Sequence, residues 1–219
     1  MSGTMYIQSV NVGMPQMRLR NGGDVLTGGD KQPVPSAFLH MLGFEGDGQG
    51  DAVNHGGADK AVCIYSLDHY PHWEAVLQRP LPSGSFSENL TVMGLDEQKV
   101  CIGDIFRAGA ALLQVTQPRT PCSKLAGKHG EPQLVKWVAD ANYTGCYMRV
   151  LAEGLVARGD AFELVQSHPD RISIAAVNDI IFDRHVDRGL MERLIEMPEF
   201  GDSGRRIFTR RLAKMAEQG

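Results

Sequence analysis

The chain has 219 residues, 42% hydrophobic and 22% charged, with a formal net charge of -4. That length permits one large domain, or a domain of about 150 residues with a small appendage, and either can bury a core. The acidic balance lacks the basic footprint of a nucleic-acid-binding surface, and no apolar run approaches the roughly 18 residues of a membrane span, so neither partner is expected. The N-terminal stretch "MSGTMYIQSVNVGMPQ" has no basic start followed by an apolar h-region, which points to a cytoplasmic protein. Its four cysteines, Cys63, Cys101, Cys122 and Cys146, are widely spaced and form no CxxC pair, so reduced thiols are expected and a zinc ribbon is not.

Short apolar runs punctuated by glycine and proline dominate the first two thirds. In chain order the expected strands are "MYIQSVNVG", "KAVCIYS", "NLTV", "KVCIGDIFRAG", "ALLQVTQ" and "DAFELVQ", with helices over "SLDHYPHWEAVLQ" and "PQLVKWVADA". Many strands, few helices and 25 glycines favour a mostly β, twisted barrel-like sheet over alternating βαβ units. The texture changes near residue 167, dividing the chain into a main domain, 1–166, and a tail, 167–219. In the tail, Ile174, Val177 and Ile181 recur at helical spacing behind Ser173 as N-cap; Leu190, Leu194 and Met197 repeat the signal up to Pro198; Phe208, Leu212 and Met215 share one face of a third segment. Three short amphipathic helices need each other or the main domain to bury their stripes.

Several segments carry chemistry. In "QPRTPCSKLAGKHG", residues 117–130, Cys122 follows Pro121 and lies between Arg119 and Lys124. Nearby cations favour the thiolate, which attacks electrophiles and ligates soft metals. Cys63 and Cys101 lie inside apolar runs and Cys146 opens one, so these three read as core filling. In "NHGGADKAV", His55, Gly56, Gly57 and Lys60 offer an imidazole, two glycines that let backbone N–H groups approach an anion, and a cation; a simple turn is the competing reading. Upstream, Asp47 and Asp51 form with His55 either a divalent-metal cluster or a set of turn hydrogen bonds. Asn89, in "FSENLTV", has the paired donor and acceptor of a ligand contact or of a turn.

The order "GFEGDGQGDAVNHGGADKAV", "FSENL", "VCIGDIFRAG…LLQVTQPRTPCSKL" and "GCYMRVLAEGLVARGD" resembles the MOSC domain, named after the C-terminal domain of molybdenum cofactor sulfurase. More narrowly it is similar to the stand-alone bacterial group associated with 6-N-hydroxylaminopurine resistance, whose members end in a three-helix module. The resemblance implies a barrel-like β fold binding the molybdenum cofactor (molybdopterin), not pyridoxal phosphate, with Cys122 as the molybdenum ligand. It also implies that His55, Gly56, Gly57, Lys60, Asn89, Arg119 and Thr120 surround the pterin and its phosphate. Two departures stand out: Ser87 replaces the glycine of the family's "FGENL", and His40 stands near the place of a family lysine. The implied activity is reduction of N-hydroxylated compounds such as hydroxylaminopurine bases. A sulfur carrier with a persulfide on Cys122 and a non-enzymatic ligand-binding module are the alternatives. The oligomeric state stays open, a homodimer included. Residues 203–219 carry Arg205, Arg206, Arg210, Arg211 and Lys214 against the single acid Glu217. This is either the solvated side of a helix or a docking face for a flavin-containing electron donor.

Overall fold

A computed structural model describes residues 5–20, 23–51 and 56–217. Thirteen strands are described: β1 (Tyr6–Val12), β2 (Gln16–Arg20), β3 (Gly23–Thr27), β4 (Gln32–Val34), β5 (Ser36–His40), β6 (Gly43–Phe44), β7 (Val62–Ser66), β8 (Leu90–Met93), β9 (Ile105–Ala108), β10 (Ala111–Pro118), β11 (Cys146–Ala152), β12 (Gly154–Ala157) and β13 (Phe162–Gln166). The described helices are α1 (Tyr70–Leu77), α2 (Ser123–His129), α3 (Leu134–Ala141), α4 (Ile174–Ile181), α5 (Arg188–Glu196) and α6 (Asp202–Glu217). An eight-stranded sheet runs β13-β9-β10-β11-β7-β8-β1-β4, with a three-stranded sheet β12-β5-β6 and a β2–β3 hairpin beside it. Every pairing in the large sheet is antiparallel except β7 with β8. Those two flank α1, the crossover that a parallel pair requires.

The ladder ends at β13 and β4, so the sheet does not close as a barrel. It curls until its ends approach: Ile7 N donates to Asp160 O (2.9 Å), Gly159 N to Ile7 O (2.8 Å) and Phe162 N to Met5 O (2.9 Å). The inner face carries Ile7, Val62, Ile64, Val92, Leu113 and Met148, and Ile174, Val177, Met191, Leu194 and Phe208 of the tail helices join the same core. A second core, of Tyr65, Tyr70, Trp73, Phe86, Leu125, Leu134 and Val138, underlies α1, α2 and α3.

The tail helices start where their side chains direct. Ser173 Oγ accepts from Ala176 N (3.2 Å), capping α4, and Asp187 caps α5 by accepting from Leu190 N (2.8 Å). Met197, before Pro198, leaves helical geometry at φ -76°, ψ 116°, as a residue preceding proline does. One expected strand is shortened: within 99–109 only Ile105–Ala108 pairs as β9. Before it, the buried Asp104 carboxylate accepts from Cys101 N (2.9 Å), His168 N (2.8 Å) and Arg171 Nη1 (3.0 Å), folding the chain into a turn. Cys101 is buried there, not on a strand but in an isolated bridge to Ser173. No disulfide joins the four cysteines, and among the described residues no helix is long and apolar enough to cross a membrane.

Phe208, fully buried against Phe200 with ring centroids 5.5 Å apart, anchors α6. Phe208→Ala is expected to cost about 3–5 kcal/mol, and Ile207→Ala on the exposed face no more than about 0.5 kcal/mol. Urea titration of both variants measures the difference.

Candidate functional site

At the end of β10 the chain changes from strand to helix. Gln117 and Pro118 pair with Tyr147 and Cys146 of β11, and Arg119 N extends the ladder by donating to Gly145 O (3.2 Å). Thr120 and Pro121 then lead to Cys122, the N-cap residue of α2, at φ -127°, ψ 167°. Leu125 and Ala126 are the buried face of this seven-residue helix, and Leu125 sits in the second core. Cys122 is thereby held, half-buried, on the rim of a solvent-open cleft.

The opposite wall is backbone. Gly28 follows β3, and a Cβ on it would lie 1.9 Å from Gly48 O; one on Gly50 would lie 2.6 Å from Leu26 O. Only glycine permits these approaches. The hairpin that carries this wall is strapped to α2: Arg20 Nη1 donates to Lys124 O (3.0 Å), and Lys128 Nζ donates to Gly29 O (2.8 Å) and Gly84 O (2.7 Å). Burial pushes the Lys128 ammonium down to about 8. Asn89 joins the floor strands: its Oδ1 accepts from Cys63 N (3.0 Å), and its Nδ2 donates to Asp47 Oδ2 (2.8 Å). Asp47 also accepts from Gly13 N (2.9 Å) and pairs with the buried Lys31.

The lining carries Arg20, Lys31, Lys60, Arg119 and Lys124 against Asp47 and Asp51. Arg119 is the telling member. It is 6% exposed, it hydrogen-bonds the Tyr147 side chain, and its Nη1 is buried with no acceptor among the described residues. A buried cationic nitrogen without an acceptor is costly, and an anion in the cleft would meet it. Lys60 Nζ sits over the Tyr147 ring, 5.7 Å from its centroid. Burial, and then the nearby charge of Arg206 on α6, hold Lys60 below the usual lysine range, while Asp59 and Asp51 oppose the shift. Cys63, on the floor, is pushed up to about 11 by burial, against the pull of Arg119; it is a neutral thiol.

Of the residues singled out from sequence, Lys60, Asn89, Arg119, Thr120 and Cys122 line one cleft. Gly56 and Gly57 are not among its lining residues; Gly57, at φ 93°, caps the 3-10 turn Ala58–Lys60 that carries Lys60. His55 lies outside the described residues. Asp47 is committed to hydrogen bonds and an ion pair, and no cluster of three metal-ligating acids, histidines or cysteines occurs among the described residues. His40 is not a lining residue; it faces Glu153 at 3.9 Å. Sequence reading missed Arg20, Lys31, Cys63, Ser87, Lys124 and Tyr147 as lining residues. The alternation of β11 was the available signal for Tyr147, which pairs with Cys63 across the sheet. Ser87 departs from glycine yet keeps the left-handed backbone, at φ 62°.

A rim thiol, an unmet buried guanidinium and a glycine wall fit an anionic cofactor that carries a thiophilic metal. Residues 51–163 match the MOSC domain, and residues 172–214 match the YiiM-like, 3-alpha helix domain. The chain belongs to the MOSC domain family. This MOSC protein is 45% identical over 206 residues to YflK of Bacillus subtilis (strain 168), covering 94% of this chain and 93% of that one. The crystal structure of YiiM from Geobacillus stearothermophilus superposes with a TM-score of 0.81 at 38% identity, covering 95% of this chain and 99% of that one. A protein named "Reductase" from Gibberella moniliformis (strain M3125 / FGSC 7600) is 33% identical over 186 residues, 81% of this chain but 32% of its own length.

Two predictions follow from the cleft's backbone and its helix. Ser87→Gly removes a left-handed non-glycine residue and is expected to raise unfolding free energy by about 1 kcal/mol, read by denaturant titration. His129, which ends α2, is held neutral: its Nε2 donates to Ser85 O (2.9 Å) and its Nδ1 accepts from Arg79 Nη2 (2.8 Å). Burial pushes it down to about 4, against the Ser85 hydrogen bond. Between about pH 6.5 and 4 the unfolded chain therefore binds more protons than the folded one, so stability falls as pH falls through that window. Stability-versus-pH curves of His129→Gln should be flatter there than those of the native chain.

Proposed function

We propose that this MOSC protein is a molybdenum-cofactor-dependent reductase of N-hydroxylated compounds, hydroxylaminopurine bases among them, working in the cytoplasm. The observation that carries the reading is the Arg119 Nη1 without an acceptor in the same cleft as Cys122: one group calls for an anion, the other for a soft metal. When bound, the cofactor supplies the two-electron chemistry that removes the hydroxyl oxygen from nitrogen. Cys122 would hold its metal, Arg119 and Lys60 would hold its anionic end, and the glycine wall would leave backbone accessible to the rest of it. The fungal relative's printed name, "Reductase", supports the same reaction class. About two thirds of that relative lies outside the match, room for an electron-supplying unit. Electrons here come from a separate protein.

The test is expression in a host that makes molybdopterin, followed by metal analysis and turnover with a chemical reductant. Cys122→Ser should retain the fold and lose at least about 100-fold in turnover, because a hydroxyl is a poor soft-metal ligand. Lys60→Ala and Arg119→Met should lose molybdenum content in proportion to activity, leaving turnover per bound metal near native. Cyanolysable sulfur on Cys122 without co-purified molybdenum would instead establish the persulfide carrier.

A further inference from the structure

The cations of α6 divide into two sets. Arg205 turns inward, donating to Ile195 O, Met197 O (3.0 Å) and Phe200 O (2.9 Å), and so closes the end of α5. Arg211 donates to Ile180 O, at the end of α4, and pairs with Asp183. Arg206, Arg210 and Lys214 are exposed and, among the described residues, show neither a hydrogen bond nor an ion pair. Spaced four apart, they fall on one face of the helix. Like charges at this spacing destabilise a helix by a few tenths of a kcal/mol each; Asp202 and Glu217 stand at the two ends of the stripe, but among the described residues neither forms an ion pair with these three cations.

The stripe begins at the cleft. Asp202 N, at the start of α6, donates to Asp59 Oδ2 (2.9 Å) in the turn that carries Lys60, and Arg206 is close enough to depress the Lys60 ammonium. The basic face therefore starts beside the cleft's lining and runs away from it along the helix. On a chain of net charge -4, three cations make a small footprint for nucleic acid but suit an acidic protein patch.

We propose that Arg206, Arg210 and Lys214 form the docking face for an acidic electron-donor protein, a reduced flavoprotein, that delivers electrons at the cleft. This rests on the reductase reading. The overall step balances as R–NHOH plus reduced flavin (FlH2) giving R–NH2, water and oxidised flavin (Fl): the N–O bond breaks, nitrogen is reduced by two electrons, and the flavin supplies those electrons and two protons. Complementary charge steers such encounters and raises their rate at low ionic strength.

The experiment uses the full chain and an acidic flavodoxin as probe. Arg210→Glu/Lys214→Glu is the working variant; Arg206 stays, because its charge acts on Lys60. Binding, followed through flavin fluorescence, should weaken at least about tenfold in the double variant at low salt, and the difference should shrink at high salt as screening grows. Turnover driven by dithionite should stay within about twofold of native, since the stripe touches no reacting group. Native-strength flavodoxin binding by the double variant, no saturable binding by the native chain, or an equal loss with dithionite overturns the proposal. So does a stripe-dependent affinity for duplex DNA or anionic vesicles in place of flavodoxin. If the native, cofactor-loaded protein reduces no N-hydroxylated substrate from dithionite, the reductase reading fails, while the binding titration still decides the docking face.

Discussion

Arg119 is the charge that the cleft is built around. Its backbone N–H extends the β10–β11 ladder by donating to Gly145 O, and its side chain is buried at the strand's end. Tyr147 gives it one hydrogen bond, and one guanidinium nitrogen is left without an acceptor. Lys31 shows the contrast within the same cleft: there the fold supplies Asp47 as a counterion. The fold thus neutralises Lys31 but leaves one Arg119 nitrogen without an acceptor among the described residues, an arrangement that is unfavourable for a buried charge.

Everything that fixes the cleft's width comes from segments far apart in the chain. The glycine wall belongs to residues 28–50, the floor to β7, β11 and Asn89 just before β8, and the rim thiol to the start of α2. Lys128 and Arg20 tie the wall to α2 through backbone carbonyls. Beneath α2, the aromatic second core keeps Cys122 in place. The tail extends this arrangement from outside: its helices complete the main core, and Gly201 N and Asp202 N bond to Thr116 O and Asp59 Oδ2 next to the cleft.

The elements legible in the sequence were those with an apolar run or a buried period. β1 and β10 each bury one face, β7 is buried throughout, and β13 read as a strand from its apolar residues although only Phe162 of it is buried; α4, with Ser173 as its cap, α5 and α6 read as helices from their apolar stripes. The β2–β3 hairpin left no such mark: the burial of β2 runs exposed from Gln16 to Leu19, so no alternation exists to be read. Helix α2 is short and contains Gly127, which hides it among turn formers. Residues 99–104 misled in the other direction, since their apolar side chains are buried by a turn that Asp104 organises.

By itself the sequence determined the mostly β class, the helical tail, the placement of Cys122 between Arg119 and Lys124, and the resemblance to the MOSC domain. These follow from local composition, periodicity and the order of motifs along the chain. Only the tertiary structure decided that Arg119 has an unmet nitrogen, that Lys31 is neutralised by Asp47, that Gly28 and Gly48 nearly touch, and that two of the five cations of α6 serve the fold while three remain outside. Each of these is a through-space relation between distant segments, set by which groups burial brings together, and spacing along a chain carries no record of it.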